Sequence, residues 1–271
     1  MQKTKIIYDQ EYFFNLNSQV DKKIKHGPFF EYATKEAVVG FRWLRDRTPF
    51  LDYGCGVGLT LQLYLDTTGN YDYEVYGVDI AEGAINKIKE KFKGNNYKFL
   101  KIQNNQLNQI KDSSLQGAYL IHVLHHAKKH EDIFNEISKK LAPGGKFFIC
   151  DLSSSNIIIS LSRKIFMIMP NFIKNRFSGD LVINGAIPDK YKVSISKVIV
   201  QLKQAGLEIE TVGYGHLFVF LFSWLDKFTG LSRFKLFLKI YILFTKLEDF
   251  LLKYKLFQRQ AELFYVKCIK K

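Results

Sequence analysis

The chain has 271 residues, 47% of them apolar and 24% charged, and a formal net charge of +14. This composition excludes wholesale disorder, and the length suits one well-buried α/β domain with an added segment better than two full domains. The positive excess attracts anions at long range, whether nucleic acid, an anionic membrane or a phosphorylated substrate, without choosing among them.

Residues 1–48 read as a polar-aromatic helical cap, with Tyr8, Tyr12 and Trp43 spread among charges. Next, strands and helices alternate. A strand over residues 49–53 breaks at glycines and is followed by a helix over 59–65. A strand over 73–79 is followed by a helix over 81–92, which stops at Gly94-Asn95-Asn96. A third strand covers 97–102 and a fourth 117–123. An amphipathic helix over 131–141 ends at Pro143-Gly144-Gly145, before a fifth strand over 146–151.

Strands alternating with helices imply parallel pairing through right-handed crossovers, hence a doubly wound, Rossmann-like α/β sheet. Beyond Asp151 the alternation pauses for a lid segment over 152–193, whose Ile157-Ile158-Ile159 and Phe166-Met167-Ile168-Met169-Pro170 suit a greasy ligand. A helix over 194–205 and a strand over 207–214 follow. An aromatic, basic insertion then runs over 215–257, and a last strand closes the chain at 263–269. The domain core is therefore expected over 49–214 and 258–271.

Gly54, Gly56 and Gly58 allow a sharp strand-to-helix turn with no Cβ to hold a ligand away, and the following helix aims free N–H groups at that ligand. Leu59, three residues after Gly56, stands where the nicotinamide-dinucleotide fingerprint needs its third glycine, so that pattern fails. Asp79, 21 residues after Gly58 at the end of the second strand, can accept hydrogen bonds from both ribose hydroxyls of an adenosine.

Four blocks occur in order: Leu51-Asp52-Tyr53-Gly54-Cys55-Gly56-Val57-Gly58, Gly77-Val78-Asp79-Ile80, His122-Val123-Leu124-His125-His126 and Leu141-Ala142-Pro143-Gly144-Gly145-Lys146. Over residues 49–151 the chain thereby resembles the class I S-adenosylmethionine-dependent methyltransferases, in particular the small-molecule group of methyltransferase-11 type. The resemblance implies a seven-stranded sheet, with helical insertions here after strand five and between strands six and seven. The implied donor is S-adenosylmethionine and the spent product S-adenosylhomocysteine. Asp52, Gly54, Cys55 and Gly56 would line the methionine and ribose portion. Asp79 would bind the ribose and Ile80 would pack on the adenine. Asn104, or Gln103 in a register shifted by one, would stand for the usual adenine-contacting Asp, and His122 would sit near the methionine end.

A hydroxyl acceptor also needs a base, and imidazole is the side chain suited to that near neutral pH. His125 is the first choice and His126 the second, against the plainer alternative that this pair merely packs the start of a loop. No carboxylate completes a recognisable ligand set with the histidines at 122, 125, 126 and 130, so no metal is expected.

In the insertion, the polar residues at 232, 235, 239, 246, 249 and 253 fall on one helical stripe of residues 231–257, amid Leu, Ile, Phe and Tyr. Such a helix lies in an anionic membrane interface, caps the core or meets a dimer partner. The acceptor expected is hydrophobic, aromatic or lipid-linked. Two alternatives stand beside it, an RNA methyltransferase drawing on the net charge and an inactive cofactor-binding scaffold at a membrane. The lysines are spread along the chain rather than clustered, which weighs against nucleic acid. The three cysteines are far apart, the N-terminus lacks a secretory apolar core, and no uncharged apolar run reaches the roughly 18 residues of a membrane span. The expected location is the cytoplasm, at the inner face of the membrane.

Overall fold

The computed structural model describes residues 28–153, 193–219, 222 and 230–271. Tyr8, Tyr12 and the apolar runs of the lid segment lie outside them, as do residues 220, 221 and 223–229 of the aromatic insertion.

The chain opens with α1 (Pro28–Trp43) and continues through β1 (Phe50–Tyr53), α2 (Leu59–Thr68), β2 (Val75–Asp79), α3 (Glu82–Lys91), β3 (Tyr97–Lys101) and β4 (Leu115–Ile121). A single 3-10 turn over Leu124–His126 leads to α4 (His130–Lys140) and β5 (Leu141–Leu152). Then come α5 (Ile195–Gln204), β6 (Leu207–Gly215), α6 (Lys235–Leu251), α7 (Lys255–Gln258) and β7 (Leu263–Lys270). The seven strands form one sheet in the order β3-β2-β1-β4-β5-β7-β6. Strands β1 to β5 pair in parallel, whereas β7 runs antiparallel to both β5 and β6.

Alternation along each strand sends side chains to two cores. Leu51, Tyr53, Phe147 and Ile149 face α4 and α5, with Phe134, Ile137, Val198 and Leu202. Phe50, Phe148 and Cys150 face the other way, toward Phe41 of α1 and Tyr64 and Leu65 of α2. Helices therefore cover both faces, the burial that a mostly parallel sheet requires.

Two boundaries differ from the sequence reading for local reasons. Helix α4 stops at Lys140, and β5 begins at once with Leu141 paired to Leu115. Pairing resumes at Gly117 with Lys146, so the extra residues around Pro143-Gly144-Gly145 bulge within the strand instead of preceding it. The single helix expected over 231–257 is three pieces, a 3-10 turn at Leu231–Arg233 followed by α6 and α7. Tyr254, with extended backbone angles, separates the last two. No helix among the described residues is long and apolar enough to cross a membrane.

Candidate donor and acceptor site

The winding of the sheet reverses between β1 and β4, which lie side by side. Loops leaving two such strands diverge, and the crevice between them is where ligands bind in open α/β sheets. The glycine loop leaves β1 there, and the histidine loop leaves β4. Between them lies a cavity of about 630 Å³, within the usual range for small-molecule sites.

Glycine is required where these loops approach each other. A Cβ on Gly54, whose φ is +79°, would stand 2.3 Å from Val123 Cγ2 in the histidine loop. Gly56 has nothing within 4 Å of the same position and borders open cavity, the space a close-lying ligand needs. Asp79 ties the loop to the second strand. Its Oδ2 accepts the Gly56 N–H at 2.9 Å, and its Oδ1 accepts the Ala81 N–H at 2.9 Å. Burial raises its pKa, with the N–H groups of Ala81, Gly56 and Ile80 working in the opposite direction. The carboxylate still borders the cavity and keeps acceptor capacity toward it.

Gly54, Gly56, Asp79, Ile80, Asn104, His122 and His126 all line this cavity. Asn104 and Asn105 both adopt left-handed backbone, which Asn tolerates better than most residues. The Tyr53 hydroxyl donates to Asn105 Oδ1 at 3.0 Å, pinning that turn. Gln103 borders a second, smaller cavity of about 290 Å³, so the unshifted register is the one that faces the larger space.

Asp52, Cys55 and His125 are placed otherwise. Asp52 and Cys55 are buried beneath the loop, in the core facing α1 and α2. Burial pushes the Asp52 pKa up to about 7, against a lowering by the adjacent Tyr119 hydroxyl and with a further rise from the Asp79 charge. Burial likewise raises the Cys55 thiol, which suits packing rather than nucleophilic attack.

His125 is buried below the histidine loop, its Nδ1 2.6 Å from Asp151 Oδ1. Asp151 was not singled out by the sequence, yet it organises this loop. Its Oδ2 accepts the N–H groups of Val123 and Leu124 at 2.8 and 2.7 Å, and its Oδ1 accepts that of Leu152 at 2.7 Å. Burial alone would raise its pKa. The hydrogen bond and charge of His125, the charge of His122 and the Leu152 N–H outweigh that and hold it below the usual carboxylate range. The one available signal was an acid closing an apolar run at the carboxyl end of a strand.

His122, His125 and Asp151 bring potential metal-ligand atoms within 4.8 Å of one another. Three N–H groups and one imidazole already occupy the roughly four lone-pair sites of the Asp151 carboxylate, so the cluster is a hydrogen-bond hub. Upon it, the His126 ring lies 3.9 Å from that of His125 and borders the cavity. His122 is exposed at φ +57°, held there by its N–H to Cys150 O at 2.9 Å. The hub thus puts His126 and His122 at the wall and His125 behind them.

Residues 51–149 match the family model described as a methyltransferase domain. An uncharacterized methyltransferase of Schizosaccharomyces pombe is 25% identical over 119 residues, covering 41% of this chain and 40% of the relative's own length. Among solved structures, an S-adenosylmethionine-dependent methyltransferase from Mesorhizobium loti aligns with a TM-score of 0.53 at 14% identity, covering 88% of this chain and 98% of its own. The magnesium protoporphyrin IX methyltransferase of Synechocystis, solved with bound S-adenosylhomocysteine, aligns at 0.55 and 12% identity, covering 96% and 94%. At these identities the structural likeness speaks for the fold. Residues 51–149, which carry the glycine loop, thus match a methyltransferase domain, within a chain whose fold is that of solved S-adenosylmethionine-dependent methyltransferases.

Proposed function

We propose that the chain transfers a methyl group from S-adenosylmethionine to an oxygen of a hydrophobic, aromatic or lipid-linked small molecule. The observation that carries the reading is the cavity at the switch point, walled on one side by the Asp79-tied glycine loop and on the other by the histidine loop. Gly54, Gly56, Asp79, Ile80 and Asn104 would hold the donor, with Asp79 accepting from the ribose. When bound, the donor supplies a methyl group already activated by a sulfonium, so the protein's work is positioning, exclusion of water and handling of one proton.

That proton falls to His126, which borders the cavity where His125 does not. His125 acts through His126. Fixed by Asp151, it supports the His126 ring from behind and keeps the loop from collapsing. An apolar acceptor is supported by Val123, Ala127 and Ile133 in the cavity wall.

The test is incubation of the purified chain with methyl-labelled donor and fractionated lipid and small-molecule extracts. Label recovered on an apolar acceptor in an alkali-stable ether or an alkali-labile ester supports the reading. Label recovered only on nitrogen, or only in an RNA fraction, contradicts it.

A further inference from the structure

Helix α6 has two apolar faces, and the protein uses one. Glu248 fixes which face turns inward: fully buried, its Oε2 accepts the N–H groups of Phe218 and Val219, each at 2.8 Å, and its Oε1 accepts the Tyr32 hydroxyl. Tyr241, two turns before it on the same face, is buried against Tyr32 and Val219. With that side locked, Leu236, Ile240, Leu243, Leu247 and Phe250 point outward. Their spacing of four and three residues makes one continuous stripe. Leu236 is 70% exposed and Leu243 65%; single scattered apolar residues at a surface need no explanation, but a five-residue row does.

The flank of the stripe decides what covers it. Lys239 and Lys246, seven residues apart, form an exposed row along one edge of α6, and Lys253 is exposed in the turn just beyond its end. The two acids of α6 are both committed, Glu248 to the interior and Asp249 to Lys35. The opposite edge, Phe237, Phe244 and Leu251, is partly buried against the protein's own body. Two copies of this stripe packed antiparallel would set lysine row against lysine row, and packed parallel would set lysines against apolar edges. Neither arrangement offers the lysines an acid. A lipid interface offers both partners at once, acyl chains for the stripe and phosphates for the row.

We propose that α6 docks the chain on an anionic lipid surface, with the stripe entering the interface and the three lysines meeting headgroup phosphates. Helix α6 belongs to the connection between β6 and β7, and β6 ends at the same edge of the sheet as β5. The docked surface therefore adjoins the end of the sheet that carries the cavity. This inference goes beyond methyl transfer and stands independently of it.

The test is co-sedimentation of the full chain with phosphatidylcholine vesicles, with and without about one third phosphatidylglycerol. Expected is binding to the anionic vesicles at least tenfold tighter than to the neutral ones. Two double variants, Leu243→Asp with Leu247→Asp and Lys239→Glu with Lys246→Glu, are each expected to weaken it on the order of tenfold or more. All four positions are exposed, and unchanged circular-dichroism melts show that the fold is kept. No donor or acceptor is involved, so failure here is separate from failure of methyl transfer. Equal binding to both vesicles, binding unaltered in both variants, or a dimer in sedimentation that the Leu243→Asp, Leu247→Asp variant dissolves would each overturn the proposal.

Discussion

Asp151 and His125 meet at 2.6 Å, carboxylate oxygen to imidazole nitrogen, where β5 ends and the loop after β4 begins. This pair ties the end of β5 to the loop that leaves β4, and it sets the floor of the candidate site. Removing either partner strands the other in the interior. Asp151→Ala also leaves the Val123, Leu124 and Leu152 N–H groups without their acceptor. A loss of about 3–5 kcal/mol is expected for it, and a comparable one for His125→Ala. Chemical denaturation at neutral pH measures both, and a loss below about 1 kcal/mol would show that the hub carries no such load. Because the folded pKa of Asp151 lies below its ordinary value, its contribution is full above the carboxylate range and fades as the pH falls beneath it.

Asp52 has the opposite sign. Its folded pKa is about 7 against an ordinary 3.8, so between those values the unfolded chain releases a proton that the folded chain keeps. Stability therefore falls with rising pH across that window and levels off above it, by at most about 4 kcal/mol. Asp52→Asn removes the effect. Expected is a variant that melts close to the parent near pH 4 and increasingly above it toward pH 8. A constant difference between the two melting temperatures would refute the buried, proton-retaining carboxylate.

His126→Ala tests the assignment of the proton acceptor. Transfer is expected to slow by about 10²-fold or more at saturating donor, with the acid limb of the pH–rate profile removed and the melting temperature nearly unchanged. His125→Ala, by contrast, is expected to lose rate and stability together. A His126→Ala variant as fast as the parent would reassign the base to His122.

Gly54→Ala probes the approach of the two loops. The added Cβ would meet Val123 Cγ2 at 2.3 Å on backbone that disfavours a side chain, so the loops must part. Expected is at least a tenfold loss of donor affinity. Ala at Gly69, which also has positive φ but nothing within 4 Å, serves as the control for backbone strain alone. Equal effects of the two on donor affinity would mean that loop approach is not what Gly54 secures.

Much of this was legible in the sequence because it depends on local pattern. The strand runs, the glycine turn and Asp79 each follow from spacing, and the seven-stranded sheet followed once four motifs stood in order. The bulge at Pro143-Gly144-Gly145 was not, since a helix stop and a strand irregularity use the same residues. The placement of His122 and His126 at the cavity wall and of His125 behind them was hidden too. It depends on Asp151, 26 residues beyond His125 in sequence and adjacent only once β4 and β5 pair. Likewise, the stripe and lysine row of α6 were visible as periodicity. Which face turned outward was decided by Glu248 through contacts with Tyr32, Phe218 and Val219.

Titration calorimetry of the purified chain with S-adenosylmethionine and S-adenosylhomocysteine, repeated with Asp79→Ala, tests the donor site most directly. Expected is saturable one-to-one binding of both ligands, weakened at least tenfold by the substitution while the fold is kept. An absence of binding to either ligand, or affinity unchanged without the Asp79 carboxylate, would contradict the site described between β1 and β4.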